Sequence, residues 1–135
     1  MNQIGEVATL AKVSIRLLRH YDEIGLLVPS GRSESGYRLY ARADLERLQL
    51  ILFYRSLEFP LDEIQRLMQA PDFDRHAALL QQRELLRRKA QHLGDVLDLI
   101  ETTIANIDVM GEEINTMSTQ LMFEVFPDMK QEYQD

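Results

Sequence analysis

The chain has 135 residues with 45% hydrophobic content, enough for one modest globular domain plus an appendage, and a net charge of -7. It contains no cysteine, which excludes disulfides, thiolate metal sites and cysteine-held iron-sulfur clusters. No apolar run approaches membrane-spanning length, and the N-terminus lacks a basic segment followed by an apolar one, so nothing marks the chain for a membrane or for export and a cytoplasmic location is the default expectation.

Residues 2–12, NQIGEVATLAK, place Ile4, Val7, Ala8 and Ala11 at the spacing of one helical face. Lys12 and Val13 then leave only a tight turn before Ser14, short enough for a helix-turn-helix. Ser14 is a favoured N-cap, because its hydroxyl can accept from a backbone N–H that the first turn leaves unpaired. In the second helix Ile15 and Leu18 are expected to face the first, while Arg16, Arg19, His20 and Glu23 fall at i, i+3, i+4 and i+7 on the other side. Three of those four donate hydrogen bonds, which suits phosphates and the acceptor-rich major-groove edge of guanine. A solvated face carrying ordinary charge fits the same pattern.

The next stretch, LLVPSGRSESGYRLY, reads as a hairpin: Gly25 can end the helix in a left-handed conformation, Pro29 stiffens the exit, and SGRSESG supplies turn residues before Tyr37, Arg38 and Tyr40. With VSIRLLRHYDEIGLL followed by SGYRLY, about half the chain resembles the MerR family of bacterial transcription regulators, in which a helix-turn-helix is joined to a β wing. The resemblance implies a mostly α fold, a winged helix-turn-helix followed by a long antiparallel coiled-coil dimerisation helix. It also implies a DNA-binding set: Ser14, with Arg16, Arg19 and His20 toward the major groove, Tyr21 beneath them or on a phosphate, and Arg32, Tyr37, Arg38 and Tyr40 on the flanking backbone. The implied partners are double-stranded promoter DNA, a second copy of the chain and RNA polymerase. The implied mechanism is distortion of a promoter spacer that is too long for polymerase. The family's metal-sensing and redox-sensing branches use cysteines near the dimer helix, so neither branch is expected.

Acid is unevenly spread. Residues 1–60 hold eight Lys and Arg against seven Asp and Glu, net +1, and residues 61–135 hold seven against fifteen, net -8. Repulsion from the acidic part is screened over about 10 Å at ordinary salt, so basic groups on the first part can dominate phosphate contacts.

Residues 41–59, ARADLERLQLILFYRSLEF, carry Leu45, Leu48 and Leu52 on one stripe, which Ile51 and Phe53 widen. The start of this helix is weakly marked, with Ala41 or Arg42 where a capping side chain is expected and Asp44 favouring the helix dipole. Pro60 can take the first position of another helix, in which Leu61, Ile64, Leu67 and Met68 form the buried stripe, and Pro71 stops it. These helices complete a DNA-binding domain expected over residues 1–71.

Residues 72–110 form the second expected region. A seven-residue repeat runs through it, with Leu79, Leu86, Leu93, Ile100 and Ile107 at one position and His76, Arg83, Ala90, Leu97 and Ile104 at the other. The apolar side must meet another helix. A second copy of the chain is the economical partner, through Leu79, Leu86, Leu93, Leu97, Ile100, Ile104 and Ile107; the alternative is an intramolecular bundle with residues 112–123, a segment short for five heptads. His76 and Arg83 imply that the seam's first end is looser or packs against the DNA-binding domain.

Residues 111–135 are acidic and carry Ile114, Met117, Leu121, Met122, Phe123, Phe126 and Met129, which either dock on the dimer helix or begin a further domain. MFEVFPDMKQEY is similar to the entry into the ligand-binding domain of the TipA-like branch, which implies the DNA-binding and dimerisation half of a longer regulator and a small-molecule inducer acting through a further C-terminal domain. His20, His76 and His92 are not spaced as metal ligands, Glu112 and Glu113 follow Gly111 where acids favour a helix start, and the methionines from 110 onward suit apolar packing. With no phosphate-binding glycine loop either, neither an enzyme nor a cofactor or metal site is expected. The competing readings are a coiled-coil adaptor whose winged domain binds a protein, and a ligand-sequestering protein.

Overall fold

The computed structural model describes residues 1–110 and 118–130, so the expectations placed on Gly111, Glu112, Glu113, Ile114 and Met117 lie outside the described residues. In chain order the elements are β1 (Asn2–Gln3), α1 (Ile4–Ala11), α2 (Ile15–Glu23), β2 (Gly31–Arg32), β3 (Arg38–Tyr40), α3 (Arg42–Ser56), α4 (Leu61–Gln69), α5 (Arg75–Met110) and a 3-10 turn, Leu121–Phe123. The class is mostly α, with a winged helix-turn-helix first and a long helix after it. Two compact units divide the chain, Met1–Arg83 and Glu84–Asp135.

In the first unit, Asn2 and Gln3 form a strand and not the start of the first helix. They pair antiparallel with Tyr40 and Leu39, giving a sheet ordered β1-β3-β2. Two residues are too few to show a period, so this strand leaves no mark in the sequence. Lys12 ends α1 in the left-handed region at φ 58°, where its N–H and that of Val13 both bond the Ala8 carbonyl. Ser14 then caps α2, its Oγ accepting from the Leu17 N–H at 3.0 Å.

Leu18 and Tyr21 are buried and Leu17 packs against the same core, whereas Ile15 is exposed. With α2 beginning at Ile15, its inward positions are 17, 18 and 21, so the expected inward role of Ile15 passes to Leu17. Gly25 adopts φ +75°, letting the N–H groups of Leu26 and Leu27 both reach the Tyr21 carbonyl and the two leucines enter the core.

The weakly marked start of α3 is secured by Asp44. Its buried carboxylate accepts from the Ala41 N–H at 2.7 Å and from the Ser30 N–H at 3.0 Å, so one side chain caps the helix and ties down the wing's entry. Leu48, Leu50, Ile51 and Tyr54 are buried, while Phe53 is exposed and does not widen the stripe. A helix enclosed on more than one side has no single apolar period, which hid Leu50 and Tyr54. Pro60 stands at the N-cap of α4, one residue before the expected position, and Ala70 is extended before Pro71.

The first unit runs past 71 to Arg83 because the start of α5 packs on it. Ala78 is buried, the Gln82 amide donates to the Leu50 carbonyl at 3.2 Å, and Arg75 donates to Gln49 at 3.1 Å. Leu79, assigned by the heptads to the dimer seam, packs against this core.

In the second unit Leu86, Leu93, Leu97, Ile100, Ile104 and Ile107 are 50% to 65% exposed. Leu121, Phe123, Phe126 and Met129 are exposed as well. Among the described residues no helix is long and apolar enough to cross a membrane.

Candidate nucleic-acid interface

The cap at Ser14 fixes where α2 starts, and its register sends Arg16, Arg19, His20 and Glu23 to the solvent. A concave surface on that side is lined by Ser14, Arg16, Arg19, His20, Arg55 and Leu61, among others. Arg55 is a residue the sequence reading missed. It lies 36 positions from Arg19 in the chain, near the end of α3, and its guanidinium donates to the Phe59 carbonyl at 2.7 Å across the left-handed break at Glu58 (φ 66°).

Tyr21 lines the floor of this surface, and Tyr40 lies off it. Tyr21 is 3% exposed and supports α2 from beneath. Tyr40 is 1% exposed, a correction to its expected place on the flanking backbone: in β3 alternate side chains face opposite sides, and the side of Tyr40 faces the core. Burial pushes the phenols of both upward.

The wing keeps Arg32 and Tyr37 exposed and Arg38 half-buried. Its tip is a tight turn. Ser33 accepts through its Oγ from the Tyr37 N–H at 3.0 Å, Gly36 sits at φ +86°, and the Arg32 guanidinium donates to the Gly36 carbonyl at 3.2 Å. Asp22, also missed, joins this wing to α2: its Oδ2 accepts from the Arg38 Nε at 2.7 Å and lies 3.6 Å from the Arg32 Nη2. The hydrogen bond to Asp22 is the main cause that raises the pKa of Arg38, so its charge is secure.

The unit thus presents cations from a capped helix and from a hairpin tied to it, with the carboxylates of Glu23 and Asp22 among them. The profile of MerR HTH family regulatory proteins matches residues 3–71, and that described as MerR, DNA binding matches residues 45–117. The chain is 48% identical over 113 residues to the HTH-type transcriptional activator mta of Bacillus subtilis, covering 84% of this chain and 44% of mta. It is 46% identical over 125 residues to the HTH-type transcriptional activator TipA of Streptomyces coelicolor, covering 93% of this chain and 48% of TipA. It therefore spans about half the length of these relatives. Among solved structures, the regulator SkgA from Caulobacter crescentus superposes with a TM-score of 0.84 at 44% identity, covering 96% of this chain and 91% of that one. HiNmlR, a MerR family regulator lacking the sensor domain and bound to promoter DNA, superposes with a TM-score of 0.63 at 26% identity, covering 81% of this chain and 94% of that one. Two family profiles that between them run from the first helix through the long one, and relatives at nearly half identity over the same elements, leave one conclusion: the chain belongs to the MerR family of helix-turn-helix regulatory proteins.

Proposed function

We propose that this chain acts as a homodimeric, sequence-specific DNA-binding activator of transcription. The observation that carries the reading is the exposed face of α2 with Arg16, Arg19 and His20, joined through Asp22 to the wing arginines Arg32 and Arg38; in this reading the first three meet base edges, and Arg32, Tyr37 and Arg38 meet flanking phosphates. HiNmlR, of the same family, was solved on promoter DNA. The dimer binds a promoter spacer, bends and untwists it, and brings the two polymerase recognition elements into phase. A small molecule acting through residues outside this chain sets the active state, in line with a chain that spans about half of TipA.

The exposed seam of residues 86–107 pairs with a second copy in antiparallel orientation. Its charge supports that direction. Arg83, Arg87, Arg88 and Lys89, against Glu84 alone, lie on the earlier part of the helix and Asp95, Asp98, Glu101 and Asp108 on the later part, so antiparallel copies set net base beside acid and parallel copies would set like beside like.

The test is titration of the purified chain against duplexes recovered by selection from a random pool, and against random duplex, at several salt concentrations. Arg19→Ala should lose about 1–3 kcal/mol of preference for the selected duplex while the dimer persists. Equal affinity of wild type for both duplexes, or an Arg19→Ala variant with undiminished preference, would count against the reading.

A further inference from the structure

Arg32 and Arg38 face each other directly across β2 and β3. Like charges in that position repel and should splay a hairpin only a few residues long. What sits between them comes from another element: the Asp22 carboxylate of α2, whose side chain is 14% exposed, reaches both guanidiniums through one oxygen. Arg32 in turn donates to the carbonyl of Gly36 at the wing tip. A chain of contacts thus runs from the recognition helix through one carboxylate to both strands and the turn of the wing. The recognition helix itself ends only one residue later, at Glu23, so the carboxylate is anchored on the same rigid element as Arg16, Arg19 and His20.

An acid facing two cations on a DNA-binding surface works against raw affinity, since it cancels one of the two positive charges that phosphates would meet. It contributes something else. We propose that Asp22 is a specificity-determining positioning residue: it holds the wing guanidiniums of Arg32 and Arg38 at a fixed offset from the recognition helix, so they meet phosphates only when that helix is in its base-reading register. Without the carboxylate both arginines are free to find phosphates on any duplex, independently of what α2 is reading. Asp22 touches no DNA in this scheme and acts through the two arginines.

The inference rests on the DNA-binding reading above and makes a prediction that a purely structural role for Asp22 does not. Asp22→Asn keeps the side-chain volume and an acceptor oxygen but removes the charge. Its affinity for random duplex should rise roughly threefold to tenfold, its salt dependence should steepen by about one unit of slope, and its affinity for the selected duplex should stay level or fall. The ratio of selected to random binding should therefore drop by about tenfold. Asp22→Glu, which restores the charge on a longer stem, should recover most of that ratio, and Arg38→Lys, which keeps the charge but loses the Nε bond, should lower the ratio with little further change when combined with Asp22→Asn. Random-duplex binding that weakens in step with selected-duplex binding in Asp22→Asn would mean that the wing has merely collapsed, and would overturn the proposal, as would a ratio within twofold of wild type. A wild-type chain with no preference for the selected duplex would instead remove the DNA reading and this inference together.

Discussion

The two units use the same apolar residue types to opposite effect. In Met1–Arg83, Leu18, Leu26, Leu27, Leu50, Ile51 and Ile64 are essentially sealed from solvent, although Leu26 and Leu27 lie outside any helix and the helices of Leu18 and Ile64 have only nine residues each. In the later unit, leucines and isoleucines spaced every three or four residues along a single helix stay at least half exposed. Short helices are marginal alone, so the first unit is held by closure: side chains from one element satisfy the backbone ends of another, as Asp44 does for Ala41 and Ser30, Arg47 for Leu26 and Gln65 for Ile24. The long helix satisfies its own backbone and leaves its apolar side chains exposed, the surface that the proposed dimer would cover. One region closes its apolar surface within the chain, and the other leaves it open.

The largest effect should come from breaking the region that lacks its partner. Leu93→Asp together with Ile100→Asp puts charge in the middle of the seam, and the proposed dimer should sediment as a monomer at micromolar concentration. Selected-duplex affinity should fall by about a hundredfold or more, because the second half-site contact is no longer intramolecular. The first unit should melt as before. A double variant that still sediments as a dimer would mean that the exposed seam is not the joining surface, and the contrast between the regions would have to be redrawn.

A smaller and opposite result is expected in the closed region. Asp44→Ala leaves two backbone N–H groups without their acceptor and should cost about 1–3 kcal/mol, read as a melting temperature several degrees lower, with the oligomeric state unchanged. Asp44→Asn, which keeps an acceptor oxygen, should lose less. If Asp44→Ala melted like wild type, closure by such cross-element bonds would not be what holds the unit.

Asp44 also marks the border of what the sequence makes legible. Features decided within a few residues could be read directly: the Ser14 cap, the helix stop at Gly25, the break before Pro71 and the heptads of α5. Features decided across the chain could not. The carboxylate of Asp44 meets Ser30, that of Asp22 meets Arg38, and Arg55 reaches the concave surface beside α2 only after α3 has packed. Tyr40 failed for a related reason. The run Tyr37, Arg38, Tyr40 alternates too briefly to say which side faces inward, and only the pairing of β1 on the far edge of β3 decides it.

The smallest expected effect follows from that last point and separates a core role for Tyr40 from a DNA-facing one. Its hydroxyl is buried and has no hydrogen-bond partner among the described residues. Tyr40→Phe removes an unsatisfied polar atom without opening a cavity, so stability should hold or rise by up to about 1 kcal/mol and affinity for both duplexes should be unchanged. The pH dependence sharpens the distinction. Burial raises the phenols of Tyr21, Tyr40 and Tyr54 in the folded chain, whereas unfolded tyrosine titrates near about pH 10. Above that pH the unfolded form loses protons that the folded form retains, so the stability these phenols contribute is complete below about pH 10 and declines as pH rises toward the folded values. Tyr40→Phe removes one of the three contributions, and its alkaline decline should be shallower than that of wild type. A variant that instead binds selected duplex several-fold more weakly at neutral pH, with its melting temperature intact, would return Tyr40 to the DNA surface and break the division between a sealed core and an exposed cationic face.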